Sequence, residues 1–452
     1  MKKITNRLLS LALSVLLLFP LLPLPAAAEE FGEIDAAAAL LVDVTHGLTL
    51  YEKNSTGKRY PASITKVMTA ILVLEAIEDG RLTPDTMLTC SESARADITR
   101  DSSTQKIQVG EQMSVKDLLY CLLVSSANEA SNILAEGVSG NIPVFVASMN
   151  AKAAELGMTG TRFMNPHGLH NDDHYSTAQD IVIMAQYAME YPLFRDIVAT
   201  NTYKVPETNM SDARQLYNTN ALISAYRYTN YQYSYTTGIK TGNTAEAGFC
   251  LLSSAKRDGR TLIAVVLGAE AVTLEDKSID RKQFSESRRL LQYGFSGYKV
   301  QTLISPDSLL TEVPVAYGKD VSYVVAAPAD RIDVLLPADF DRDLLINEIQ
   351  LSSTTFPAPI SKNQVLGTIH VSYNGGEYGN IDLLAVSGVE RSNLAFALSI
   401  LSDLFGSILV KILLAVIFLF LIIAFIRSAT RASKPKKSRS ARKTKGQRES
   451  RR

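Results

Sequence analysis

The sequence predicts an α+β protein carrying a separate small all-β domain and one C-terminal transmembrane helix. Three observations carry that prediction. β-Rich stretches at 36–51 and 238–267 flank a middle in which apolar residues recur at helical spacing, so strands and helices are segregated. From about Tyr298 the pattern changes to short β segments with turns between them. Residues 408–426 are apolar except for Lys411, a run just long enough to cross a bilayer.

Residues 1–28 join a basic start (Lys2, Lys3, Arg7) to an apolar run and a small-residue ending at Ala28, the form of a signal peptide. Residues 36–51 are apolar and β-rich around Asp43 and Gly47, which predicts a hairpin. After Pro61, Val67, Ala70, Ile71, Leu74 and Ile77 lie at helical spacing, so a central helix starts near Ser63. Residues 114–136 read as helical with a break at 125–128. Residues 143–156 form a helix opened by Pro143, where a missing N–H costs little. Ser176 or Thr177 caps a third helix that ends near Tyr191. Residues 238–252 and 260–267 predict two adjacent strands, and 285–294 a closing helix. This first domain covers 29–297. A β domain covers 298–390, with segments at 300–304, 321–326, 332–336, 365–371 and 380–386 and a turn at Gly375-Gly376. Residues 391–406 place Leu394, Leu398, Leu401 and Phe405 on one face, an amphipathic lead-in to a span at 407–427.

At 46% hydrophobic and 20% charged residues, the composition is ordinary for a globular chain. It excludes disorder, collagen and a disulfide-rich scaffold. The balance of 46 basic and 46 acidic groups hides a segregation. Residues 427–452 hold 12 Lys/Arg and one acid, Glu449, while 29–426 hold 31 basic and 45 acidic groups. An acidic body argues against nucleic acid as a partner. A basic flank stays cytoplasmic, so the span is expected to leave the body outside the cell membrane and the 428–452 tail inside. Cys90, Cys121 and Cys250 have no metal spacing and read as small buried hydrophobes. His167, His170 and His174 could form a metal cluster, but the turn residues Gly168 and Asn171-Asp172-Asp173 favour a polar loop.

Three short motifs could carry chemistry. Ser63 and Lys66, at i and i+3 on a helix, point the same way. The helix start favours a developing oxyanion, and a partly buried lysine near another cation could take the serine proton in its neutral form. S-x-x-K also occurs at Ser55, Ser253, Ser296, Ser433 and Ser440; Ser63 differs in following Pro61-Ala62 at the head of the most apolar helix. Ser126-Ala127-Asn128 sits in the helical break, where a hydroxyl could relay a proton and an amide could hold a carbonyl. S-x-N recurs four more times. Lys240-Thr241-Gly242 occurs once, on a predicted strand; its cation and hydroxyl suit a carboxylate, and Gly242 would let substrate backbone approach.

Taken in order, the three motifs resemble those of the serine-active penicillin-recognising enzymes. The stretches 59–70 (RYPASITKVMTA), 165–169 (NPHGL), 174–178 (HYSTA) with Asp180, and 238–251 (GIKTGNTAEAGFCL) look like the D-alanyl-D-alanine carboxypeptidases among them. The resemblance runs from about residue 30 to 295, and 298–390 resembles that family's C-terminal domain. It implies a β-lactamase/transpeptidase-like fold, an antiparallel sheet flanked by helices with a helical subdomain. It also implies roles. Ser63 is the nucleophile, Lys66 the general base and Ser126 the proton relay. Asn128 orients the substrate, and Lys240, Thr241 and Gly242 bind it. The backbone N–H groups of Ser63 and Asn243 make the oxyanion hole. Substrates would be peptidoglycan stem peptides, with β-lactams as inhibitors and no metal or cofactor.

One departure stands out. The family often has Arg-Phe-x-Glu/Asp before the last helix, its arginine helping to hold the substrate carboxylate. Here the stretch is Gln283-Phe284-Ser285-Glu286, and Arg281 is the candidate substitute. The tyrosines of 226–235 have no matched role and read as a half-exposed strand or loop face, with glycan stacking as the alternative. Two rival readings remain at this point. A β-lactamase lacks support, because no E-x-x-x-N word occurs at 155–185. A feebly active β-lactam-binding or scaffolding protein would fit the Gln283 departure.

Overall fold

The computed structural model describes residues 31–99, 102–307 and 311–432. The expected signal peptide and most of the basic tail lie outside the described residues. The chain divides into two compact units, one of residues up to 300 together with 335–340, the other of 301–334 and 341 onward.

The first unit is built on a five-stranded antiparallel sheet. Its strands are β1 (Ala38–Asp43), β2 (Leu48–Lys53), β3 (Thr236–Thr244), β4 (Gly248–Arg257) and β5 (Arg260–Ala269), in the spatial order β2-β1-β5-β4-β3. Both faces are covered at the sheet centre, so β1 and β5 read as near-continuous apolar runs. Along β1, Leu40 and Val42 enter one core while Ala39 and Leu41 enter the other. Along β5, Ile263, Val265 and Leu267 alternate in the same way with Leu262, Ala264 and Val266.

One core holds the helices α1 (Lys66–Glu78), α2 (Val115–Leu123), α3 (Asn128–Ser139), α4 (Ile142–Glu155), α5 (Ala178–Ala188) and α6 (Pro192–Ala199). The predicted central helix is α1, and it is buried almost all round, from Val67 through Leu74 and at Ala76. The third helix starts on Thr177, whose side chain accepts from the Asp180 N–H. On the other face α7 (Lys282–Ser296) packs Phe284, Leu290 and Leu291 against the sheet. Asp43 on β1 takes the Arg260 Nε at 2.7 Å; the other guanidinium nitrogens donate to the carbonyls of Tyr298 and Gly294.

The structure corrects one strand. Residues 238–252 form two strands, β3 and β4, and not one. Ala247 N–H donates to Thr244 Oγ1, and Gly248 takes φ +65°, so the chain reverses there into a hairpin. Polar Asn243, Thr244 and Glu246 and then Gly248 mark this turn in the sequence, but the three-residue connection is short enough to pass for one continuous strand. Helix α6 was not predicted; Pro192 opens it after the three residues 189–191 that follow the preceding helix.

In the second unit a six-stranded sheet has the order Leu345–Leu351, Val365–Tyr373, Gly376–Ala385, Tyr323–Pro328, Thr311–Ala316 and Phe356–Pro357. The first, fifth and sixth of these were not predicted. Helix α8 (Asn393–Gly406) follows, capped by Ser392. Its Ser399 hydroxyl donates to Tyr317 at 2.9 Å, and Phe396 meets the same tyrosine ring edge-on. Leu394, Leu398, Leu401 and Phe405 stay exposed. Helix α9 (Ile408–Ala432) contains a stretch, 408–430, long and apolar enough to cross a membrane.

Candidate active site

Ser63 lies in the tight 3-10 turn Ala62–Thr65, and Lys66 is the first residue of α1. Local geometry therefore brings the two side chains together, as their spacing implied. Lys66 is fully buried, more so than expected. Its Nζ lies 2.8 Å from Ser63 Oγ, 2.7 Å from Asn128 Oδ1 and 2.8 Å from the carbonyl of His167. The latter two can only accept, so they fix two of the nitrogen's hydrogens. The remaining tetrahedral direction faces Ser63 Oγ. Burial pushes the Lys66 pKa well below its ordinary value; the charge of Lys240 adds to this, and Glu129 opposes it. In a neutral amine the direction facing Ser63 is the lone pair.

The His167 carbonyl was missed by sequence reading, since a backbone acceptor leaves no side-chain signature. Its surroundings fix it. Leu169 N–H donates to His167 Nδ1, so the proton is on Nε2, which donates to Asp97 at 2.7 Å. His174 accepts from Met164 N–H at Nδ1 and donates from Nε2 to Thr65 Oγ1 at 2.8 Å. Burial pushes the His174 pKa down to about 3. Two of the three clustered histidines are thus buried braces with both nitrogens engaged. Glu129, also unremarked in the sequence, is fully buried beside Asn128 and accepts from Thr104 Oγ1 and from Gln105 N–H.

Ser126 sits between α2 and α3 with φ +65°, held where the helix breaks: Ala127 N–H donates to Cys121 O and Asn128 N–H to Ser103 O. Ser63, Ser126, Thr241, Asn243, Arg281 and Gln283 line one cleft of about 480 Å³. A larger hollow of about 870 Å³, walled by Lys58, Tyr60, Tyr175 and Glu246, holds none of the motif residues. Lys66, Asn128 and Lys240 are buried and do not belong to the cleft lining. Lys240 Nζ donates to the Thr241 carbonyl at 3.0 Å, and burial together with the charge of Arg227 pushes its pKa down to about 7. Thr241 Oγ1 lies 2.7 Å from Thr219 Oγ1, a cleft residue with no motif to announce it.

Gly242 lines the cleft and has an intramolecular reason as well. A Cβ there would stand 2.8 Å from Pro61 O and 3.3 Å from Ser63 N. The space a side chain would need is already taken by the protein's own turn around the serine. Gln283 is the second residue of α7, not a residue ahead of it, and its buried Oε1 has no partner among the described residues. Arg281 directly precedes α7 and stands over Tyr228, its guanidinium carbon 4.1 Å from the ring centroid.

A family model described as D-alanyl-D-alanine carboxypeptidase, Peptidase S11, matches residues 25–271, more than half the chain. The chain belongs to the D-alanyl-D-alanine carboxypeptidase family. A second model, the C-terminal domain of penicillin-binding protein 5, matches residues 298–391. Among curated members of the family, D-alanyl-D-alanine carboxypeptidase DacF of Bacillus subtilis is 34% identical, covering 75% of this chain and 82% of that protein. DacC of Escherichia coli K12 is 32% identical over 86% and 94% of the two chains. Penicillin-binding protein 5 of Haemophilus influenzae has a solved structure that is similar with a TM-score of 0.56 at 28% identity, covering 80% of this family member and 99% of that chain.

Proposed function

We propose that this chain removes the terminal D-alanine from peptidoglycan stem pentapeptides through an acyl-enzyme on Ser63. The reaction class, hydrolysis by a serine-type D-Ala-D-Ala carboxypeptidase that β-lactams inhibit, goes with the family. The observation that carries the residue assignment is the Lys66 amine, buried and aimed at Ser63 Oγ with its other hydrogens held by Asn128 and His167.

Neutral Lys66 takes the Ser63 proton as Oγ attacks the carbonyl of the D-Ala–D-Ala bond. The backbone N–H groups of Ser63 and Asn243 receive the oxyanion. The C–N bond breaks, and the proton passes by way of Ser126 to the leaving amine, which departs as D-alanine. Water then cleaves the ester and restores the serine. Asn128 spends its oxygen on Lys66 and keeps its Nδ2 for a substrate carbonyl. Thr241 contacts the terminal carboxylate, with buried Lys240 supplying charge behind it. A β-lactam would acylate Ser63 and leave it blocked for longer.

The two domains, 29–297 and 298–390, would stand outside the membrane. Helix α9 would form the span, with the basic tail on the cytoplasmic side. The test is D-alanine release from diacetyl-Lys-D-Ala-D-Ala by the full chain in detergent, beside Ser63→Ala. Release that vanishes in the variant supports the reading. No release despite stoichiometric penicillin labelling of Ser63 sinks it and favours the second reading, a poorly turning-over β-lactam-binding protein, which the glutamine at position 283 motivates.

A further inference from the structure

The cleft that holds Ser63 is cationic on one wall. Among the described residues its lining includes the guanidinium-bearing Arg227 and Arg281 and not one Asp or Glu. This contrasts with an acidic body, 31 basic against 45 acidic groups over 29–426. Arg281 is positioned by Tyr228 beneath its guanidinium and stands at the start of α7, where the helix dipole also favours an anion. In the same lining, the buried Gln283 amide oxygen is unpartnered among the described residues.

Arg227 comes from the tyrosine-rich loop that no motif explained. Tyr226 stacks on Tyr217 with ring centroids 3.5 Å apart and planes within 4°. Gln232 Nε2 donates to the carbonyls of Ala221 and Tyr228. Tyr231 Oη accepts from Arg281 N–H at 2.8 Å, which ties the loop to the strand before α7. Arg227 is therefore flanked by two anchored tyrosines. Its guanidinium is exposed and makes no hydrogen bond or ion pair among the described residues.

We propose that Arg227, held in place by the tyrosine loop, is a substrate-binding residue that pairs with the terminal carboxylate of the acyl donor. Arg281, the second guanidinium of the lining, adds to the positive potential there. The tyrosines are positioning residues for the two guanidinium groups. The inference rests on the carboxypeptidase reading above, and it predicts selectivity for a free carboxylate over a neutral chain end.

The test compares Arg227→Gln and Arg227→Lys with the full wild-type chain in detergent. Two pairs of probes are used: diacetyl-Lys-D-Ala-D-Ala against its C-terminal amide, and benzylpenicillin against its methyl ester. For Arg227→Gln we expect kcat/KM on the free acid, and the acylation rate by benzylpenicillin, to fall about 10- to 100-fold, the effect of losing one charge-assisted contact. The amide and the ester should change less than about threefold, and Arg227→Lys should recover part of the loss. Equal losses on charged and neutral probes would mean a merely structural role and overturn the proposal. No loss on either would also overturn it. Wild-type chain that releases no D-alanine would fail the carboxypeptidase reading instead, and the penicillin pair would still decide the role of Arg227.

Discussion

Gly168 lies directly on the backbone of Ala62, the residue before the serine: a Cβ at Gly168 would overlap the Ala62 carbonyl and come within 2.8 Å of Thr65 Oγ1. Gly168 also takes φ +85°, a conformation that side chains resist. The loop that supplies the His167 carbonyl to Lys66 can thus lie flush against the turn that supplies Ser63.

Gly168→Ala should destabilise the fold by about 1–3 kcal/mol through backbone strain and overpacking. Because the clash separates the His167 carbonyl from the Ser63 turn, kcat/KM should fall by more than about 100-fold. Thermal melting and D-alanine release measure the two effects. A variant with near wild-type release would contradict the geometry.

The pH dependence should report Lys66. Its folded pKa is lowered, first by burial and then by Lys240, so activity requires a pH above that lowered value and is lost as pH falls through it. In Lys240→Met the second cause is gone, and the acid limb of kcat/KM should move to higher pH, whatever the loss in rate. An unmoved limb would remove Lys240 from the electrostatics of the base.

Lys240 should also shape stability. Its folded pKa of about 7 lies below the 10.5 of a free lysine, so between those values the unfolded chain binds more protons and stability rises with pH. Below about pH 7 the cost of burying the charge is fully present. Lys240→Met should therefore melt higher than wild type at pH 6, with the gap narrowing towards pH 10. A gap independent of pH would refute this.

Arg260→Met should destabilise the first unit by about 3–5 kcal/mol. It leaves the buried Asp43 carboxylate facing only His46, and it frees the carbonyls of Gly294 and Tyr298 from their donor. Denaturant unfolding would measure this. A change below about 1 kcal/mol would show that water or a neighbour replaces the guanidinium.

The buried thiols should be inert in the folded chain. Burial raises Cys90 and Cys250 to about 11 and Cys121 further still, and all three are unpaired. A disulfide-exchange reagent at pH 8 should titrate about three thiols only after unfolding. Rapid reaction of the native chain would contradict the packing.

Much of this was legible because local rules carry it. Ser63 and Lys66 meet because they are one turn apart, and Ser126 marks a helix break that its neighbours announce. The β3–β4 hairpin carries a turn signal in Asn243, Thr244, Glu246 and Gly248, but the connection is only three residues long and so passed for one continuous strand. The packing of Gly242 against Pro61 and Ser63 was not legible, because nothing in the sequence says that β3 meets that turn. The bond between the Asn128 oxygen and Lys66 was not legible either, because the two residues are 62 apart in the sequence.

The sequence by itself determined the class of protein, the order of its motifs, the pairing of Ser63 with Lys66 and the apolar span near its end. The class rests on the resemblance of those motifs to a known family; the rest depend on composition, periodicity and spacing within a turn or two. Tertiary structure alone decided which groups surround that pair: the His167 carbonyl, the Asn128 oxygen, the buried charge of Lys240 and the two arginines of the cleft. Burial and distance set the charge state of an amine, and both arise only when segments far apart in sequence exclude water together.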